Sequence, residues 1–199
     1  MKRNFIALIA IILISHQMRG QNNESKEYTN FPIILTLQFH SLSMPFKNLK
    51  SNFKNIGIGV GTEVSYNGEQ NWVHQVNLVW YRNKNVGNGL FFYTQAVWRP
   101  TVFNDFYTEA KLGVGYMIAY RPTESFEQKN GEWLSVGKKG KGLFSIPMGV
   151  SVGYSNFSET FSYSPFASYQ FILLKDYNTS LPLVPQTLIQ LGSRFHFNN

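Results

Sequence analysis

The segment Glu109 to Tyr120, EAKLGVGYMIAY, constrains the fold more than any other feature of this chain. Ala110, Leu112, Val114, Tyr116, Ile118 and Tyr120 alternate without a break against Glu109, Lys111, Gly113, Gly115, Met117 and Ala119. A strand sorts such a pattern onto two faces; a helix mixes it. The same alternation recurs in NIGIGVGTEVSY, where Ile56, Ile58, Val60, Thr62, Val64 and Tyr66 oppose Gly57, Gly59, Gly61, Glu63 and Ser65. A soluble barrel buries its apolar face and puts charge outside. Here the second face is mostly Gly and Ser, which makes a poor solvent face. The apolar face is therefore expected to meet lipid, with the small residues lining a narrow lumen beside larger ones such as Gln95, Phe166 and Ile172.

Eight alternating segments lie between turn-rich breaks: Phe31–Ser41, Asn55–Tyr66, Trp72–Tyr81, Gly89–Arg99, Phe106–Tyr120, Gly142–Ser155, Thr160–Leu173 and Thr187–Phe197. Most have the length that spans a bilayer at a 45° tilt. Short connections (NGEQN, PTVFND, NFSE) alternate with mostly longer ones, including Arg121–Lys141 and Leu174–Gln186. That asymmetry predicts an all-β, eight-stranded antiparallel transmembrane β-barrel, an up-and-down meander with short periplasmic turns, long outer loops and both termini in the periplasm. Pro147 and Pro165 fall inside strands, where a missing N–H breaks the ladder, and bulges are expected at both. LFFYTQAVW is apolar on both faces and leaves its register open.

Lys2 and Arg3 precede an apolar run from Phe5 to Ile14, the layout of a signal peptide over residues 1–20, cleaved before Gln21. Residues 21–30 read as a flexible periplasmic tail and 31–199 as the barrel. There is no Cys, which excludes disulfides, thiolate chemistry and a lipid-modified N-terminal cysteine. Without Lys2, Arg3 and Arg19 the chain keeps 15 basic residues against 11 acidic ones. So modest a surplus, with no basic helix or RNA-binding motif, argues against nucleic acid.

Aromatics fall where a bilayer wants them. With the apolar face outward, Tyr66, Trp72, Trp98, Phe106, Tyr154, Phe161 and Phe197 flank the short turns, and Trp80, Phe92, Tyr120, Phe144 and Phe171 form a second girdle toward the loops. The mature chain thus resembles the small eight-stranded outer-membrane β-barrel proteins, above all the Gly- and aromatic-rich ones of Bacteroidota. Its closing LIQLGSRFHF, with outward Leu191, Phe195 and Phe197, resembles the C-terminal signal read by the barrel-assembly machinery, although Asn198 and Asn199 follow the final aromatic. The resemblance implies insertion in the bacterial outer membrane, as a monomer, in contact with lipid and lipopolysaccharide.

Chemistry is sparse. GIGVGT lacks the spacing and following helix of a phosphate-binding loop. His40, His74 and His196 lie too far apart to share a metal, and no cofactor is expected. A lipid A-modifying enzyme, acyltransferase or deacylase, is the alternative reading, and a soluble lipocalin-like carrier the next. For the enzyme the residues fall short: His74 has Val76 where a deacylase needs Ser, and the chain contains no Asp-Ser pair. Eight strands leave a lumen that side chains fill, which disfavours a pore. The inward charges Glu63, Arg99, Glu109, Lys111 and Arg194 gather by parity near the periplasmic mouth and are expected to form an ionic plug, with Glu63–Arg194 or Glu109–Arg99 at its centre. Lys47, Lys50, Lys54, Lys84, Lys129, Lys138, Lys139 and Lys141 belong to a basic outer rim suited to lipopolysaccharide, above turns that carry Glu69, Asp105 and Glu159. The expected role is structural, or binding through the loops. Lipid-facing arginines at Val114 or Val150 should be costly, and Gly113→Ser far milder.

Overall fold

A computed structural model describes residues 29–44, 53–84, 87–120, 123–137, 140–156, 161–175, 177 and 182–197. The strands are β1 (Ile33–Ser41), β2 (Ile56–Ser65), β3 (Trp72–Tyr81), β4 (Asn88–Trp98), β5 (Thr101–Phe103), β6 (Phe106–Tyr120), β7 (Phe126–Lys129), β8 (Glu132–Ser135), β9 (Gly140–Tyr154), β10 (Phe161–Lys175) and β11 (Leu183–Phe197). Antiparallel pairing runs β1–β2–β3–β4–β6–β9–β10–β11 and returns to β1 from Ile33↔Phe195 to Ser41↔Thr187. Eight strands close into a barrel, so none of the eight is left as a sheet edge. Residues 1–28, which hold the expected signal peptide and most of the tail, lie outside the described residues.

Side-chain parity sets what faces out. Ile56, Ile58 and Val60 of β2, Leu112, Val114 and Tyr116 of β6, and Phe144, Ile146, Val150 and Val152 of β9 are exposed, while Glu63, Gln75, Gln95, Ser145, Ser151 and Ser168 are buried. Apolar outside and polar inside is the reverse of a soluble barrel, and a closed ladder is one of the two ways a backbone can cross hydrocarbon with its polar groups paired. In β4, Phe91, Tyr93, Gln95 and Val97 point inward and Phe92 and Trp98 outward, which fixes its register. At the turn end Trp72 packs near Trp98, with centroids 6.3 Å apart, and Phe106 against Tyr154 at 5.0 Å.

Four details depart from the sequence reading. The bulges expected at the prolines are absent: Pro147 pairs with Ile172 in an unshifted run from Phe166↔Gly153 to Leu174↔Ser145, and Pro165 pairs with Ser193 in one from Phe161↔Phe197 to Lys175↔Leu183. On the other side of Pro147 the pairings Leu112↔Met148 and Gly115↔Ser145 keep one register. A proline removes one donor without adding a residue, so the ladder loses a bond and the register stands. Second, the last strand begins at Leu183, before Thr187, because Val184 and Gln186 extend its inward row and are buried. Third, the connection after β6 contains the β7–β8 hairpin, turned at Asn130 (φ 51°) and Gly131 (φ 84°), and β5 forms a small hairpin with the start of β6. Both turn positions have φ above zero, the requirement of a type I′ turn, which Asn-Gly meets best.

The fourth concerns Gly113. A Cβ there would collide with the Thr94 carbonyl oxygen and lie 2.7 Å from Gln95 Cγ, so a serine meets backbone, and the mild effect expected of Gly113→Ser is withdrawn. Small residues face large ones throughout this lumen. Tyr81 pairs with Gly89, Tyr93 with Gly115, and both Tyr107 and Phe166 with Gly153, so that each inward ring lies beside a strand with no side chain at that point.

Candidate functional site: a salt-bridged layer in the barrel lumen

The lumen is filled in layers. Near the loop end His40 stacks on Tyr81 with centroids 3.9 Å apart. Its Nε2 lies 3.1 Å from Gln186 Oε1 and its Nδ1 3.1 Å from Asn83 Nδ2. An asparagine NH₂ can only donate, so Nδ1 accepts and Nε2 carries the proton of a neutral ring. Packed with Tyr81 is an apolar cluster of Val79, Phe91, Tyr93, Met117, Leu143, Ile172, Leu174, Val184 and Leu188. Tyr93 leads to an amide layer in which Gln190 Nε2 donates to its hydroxyl at 3.2 Å and Gln170 Nε2 donates to Gln190 Oε1 at 3.0 Å and to Gln95 Oε1 at 3.4 Å.

The inward charges collect toward the turn end. Glu63 comes from β2, Glu109 and Lys111 from β6, Arg194 from β11, and Arg99 directly follows β4. Arg99 Nη2 donates to both Glu63 oxygens at 2.7 Å, and its Nε donates to Glu109 Oε1 at 2.7 Å. Arg194 spans the same two carboxylates, with Nε 3.1 Å from Glu63 Oε2 and Nη2 2.5 Å from Glu109 Oε1. Lys111 Nζ lies 2.9 Å from Glu109 Oε2, and Gln75 Nε2 donates to Glu63 Oε2 at 2.6 Å. Arg194 Nη1 donates to the Tyr107 hydroxyl at 2.5 Å. The Phe166 ring lies 4.4 Å from the Arg194 guanidinium carbon and 5.2 Å from Lys111 Nζ.

Two planar forks each gripping two carboxylates tie together strands on opposite sides of the barrel. Charge-assisted, two-point contacts of this kind fix geometry as well as adding energy. All five charged residues are at most 5% exposed. Their mutual pairing is what makes such burial tolerable, since an unpaired charge at this depth would carry a large desolvation penalty. Glu63 accepts from both arginines and Gln75, and Glu109 accepts from both arginines through Oε1 and faces Lys111 through Oε2. Among the described residues no group of three His, Asp or Glu converges as a metal site.

Of the rim lysines, Lys54 and Lys84 are exposed beyond the loop ends of the strands, and Lys129 is exposed on β7. Lys141 Nζ donates to the Tyr177 carbonyl at 2.7 Å. Lys47, Lys50, Lys138 and Lys139 lie outside the described residues. His74, which the sequence offers neither as a metal ligand nor with the serine a deacylase needs, has another setting. Outside the barrel it forms a chain with Tyr66, whose hydroxyl lies 2.5 Å from Nδ1, and with Thr94, whose Oγ1 meets Nε2 and also donates to the Gln75 carbonyl at 3.1 Å. With its own proton given to that carbonyl, the Thr94 hydroxyl accepts from Nε2–H, and Nδ1 accepts from Tyr66. A polar ring on an apolar wall is thereby satisfied locally. Elsewhere on that wall Leu35, Leu37, Ile58, Val60, Leu78 and Trp80 border a shallow apolar groove of about 530 Å³.

A closed eight-stranded wall that is apolar outside, with a lumen packed by paired charges, amides and rings, defines a transmembrane β-barrel. Solved structures share that fold. Neisserial surface protein A superposes with a TM-score of 0.56 at 13% identity, covering 84% of this chain and 97% of that one. Ail, the attachment invasion locus protein of Yersinia pestis, gives 0.46 at 14% identity over 84% and 97%, and a de novo designed transmembrane β-barrel gives 0.44 at 8% over 86% and 99%. The sequence matches no protein-family model and no curated protein.

Proposed function

We propose that this protein is a monomeric bacterial outer-membrane β-barrel, exported by a signal peptide over residues 1–20 and inserted by the barrel-assembly machinery, whose role is structural or carried by binding at its outer loops. The observation that supports the reading is the inverted barrel: an apolar wall around a lumen crossed by the buried, paired charges of Glu63, Arg99, Glu109, Lys111 and Arg194. A lumen closed in this way moves no solute, so function passes to the exposed ends. Lys54, Lys84 and Lys129 stand on the loop side, where an outer leaflet of phosphorylated lipopolysaccharide would meet them, each exposed cation near such a surface contributing about 1 kcal/mol.

Fractionation tests location: a tagged chain should run as a heat-modifiable band from the outer-membrane fraction, and recovery as a soluble protein sinks the proposal. Planar-bilayer recording tests closure, with no resolved channel expected from the parent protein. Lipid A mass profiles with and without the gene should coincide; a missing or added acyl chain would return the enzyme reading.

A further inference from the structure

Two neighbouring outward rows of the wall end in cations. On β2 the exposed row Val60, Ile58, Ile56 continues to Lys54, and on β3 the exposed row Leu78, Trp80 continues to Arg82 and Lys84, while the alternate Gly57, Tyr81 and Asn83 are buried. The rows lie side by side: Val60 pairs with Leu78, Ile58 with Trp80, and the Arg82 amide donates to the Ile56 carbonyl at 3.0 Å. Their ends are held in phase by Asn55, whose side chain donates to the His40 carbonyl at 3.1 Å, and by Asn83, whose side chain donates to His40 Nδ1 at 3.1 Å.

Below these cations the same two rows border the apolar groove of about 530 Å³, with Thr36 and Gly59, from alternate inward positions, at its floor. Trp80 at its upper edge belongs to the outer aromatic girdle, which marks the headgroup level. At ~3.3 Å per residue Arg82 stands roughly 7 Å farther out than Trp80, among headgroups, while the groove lies in hydrocarbon. We infer that this sector binds a phosphorylated glycolipid of the outer leaflet, the lipid A part of lipopolysaccharide, with phosphate on Lys54, Arg82 and Lys84 and an acyl chain along the groove. The inference rests on the outer-membrane reading above and gives its lipopolysaccharide contact a place.

Charge complementarity selects this occupant. The connections 42–55 and 82–87 contain no Asp or Glu, whereas 121–139 carries Glu124, Glu127 and Glu132. None of Lys54, Arg82 and Lys84 forms an ion pair with a described residue. Among the described residues the outward rows of the other barrel strands reach this end with a cation only at Lys175, which Asp176 follows directly in sequence. A neutral lipid would leave the three cations without a partner, and a soluble phosphate would leave the groove empty. A second copy docked here by two-fold symmetry would set cations against cations.

The test uses the full chain refolded in phosphatidylcholine nanodiscs carrying lipid A with brominated acyl chains, which quench indole on contact. The parent's tryptophan emission should fall to a plateau as lipid A is added, and Trp80→Phe should remove the saturable part. Phosphatidylglycerol and dephosphorylated lipid A with brominated chains should quench only in proportion to their content. Arg82→Gln combined with Lys84→Gln should raise the half-saturating lipid A content about thirtyfold, the combined effect of two cations near an anionic surface. Val60→Phe, an apolar ring set into the groove, should abolish the plateau and leave the barrel folded. Quenching by lipid A that does not saturate, equal quenching by phosphatidylglycerol, or an unchanged half-saturation in the double variant overturns the inference. Lipid A captured by the parent without quenching Trp80 keeps the lipopolysaccharide reading and removes only this site, whereas recovery of the chain as a soluble protein ends both.

Discussion

Replacing Glu63 with alanine tests the lumen layer most directly. Glu63 takes both Arg99 Nη2 contacts, the Arg194 Nε contact and the Gln75 amide. Its removal leaves Arg99, Arg194 and Lys111 to share Glu109, raising the buried surplus from one positive charge to two. Breaking a buried pair by deleting one member costs about 3–5 kcal/mol, most of it the penalty of the stranded partner. For a chain of this size a loss of 1 kcal/mol lowers the midpoint by about 2–4 °C, so Glu63→Ala should fall roughly 6–20 °C below the parent. Arg194→Met removes a cation and balances the layer, so it should cost less despite losing contacts to Tyr107 and Phe166. In the double variant the penalties should fall short of their sum by about 0.5–3 kcal/mol, the range for residues in one network. The loss of the heat-modifiable gel shift with temperature, measured in one detergent, gives all four midpoints. A Glu63→Ala midpoint within about 4 °C of the parent, or Arg194→Met as damaging as Glu63→Ala, would refute the charge-balance argument.

Val114→Arg and Val150→Arg each put a cation on the exposed wall and should destabilise by about 2–4 kcal/mol in liposomes, read from urea unfolding; parent-like stability of both would mean that this face does not meet lipid. Gly113→Ala should lose about 1–3 kcal/mol, because its Cβ meets the Thr94 carbonyl and a side chain, and an unchanged midpoint would show that β4 and β6 separate freely there. Gly131→Val should loosen the β7–β8 hairpin, visible as faster proteolysis between β6 and β9, while the barrel midpoint stays put, since the hairpin forms a sheet of its own. Lys54→Glu combined with Lys84→Glu should weaken capture of lipopolysaccharide by the detergent-solubilised protein, and equal capture would assign the contact elsewhere.

How far the sequence reaches depends on whether a feature is a matter of parity or of reach. Parity is local: from Glu109 to Tyr120 each side chain's face follows from its own position, and the buried set of Tyr107, Glu109, Lys111 and Met117 is read from one strand. The same rule placed Glu63, Arg99 and Arg194 on the inner face at the turn end. It could not say that each arginine would span both carboxylates, because that depends on the stagger of the closed barrel: Arg194 pairs with Ile34, and Ile34 with Gly61, two residues short of Glu63. Ladder continuity at Pro147 and Pro165 was likewise hidden, since a lost donor is visible in one strand while the register belongs to its neighbours. The β7–β8 hairpin was missed for the opposite reason. Asn130-Gly131 is a strong local turn signal, but Phe126–Lys129 and Glu132–Ser135 are short and charged, so they do not show the apolar alternation by which the barrel strands were found. Parity alone also fixes the formal balance of the lumen charges: three cations and two carboxylates share the inner face whatever the stagger, and only the contacts show that Lys111 pairs with Glu109 while both arginines span the two carboxylates.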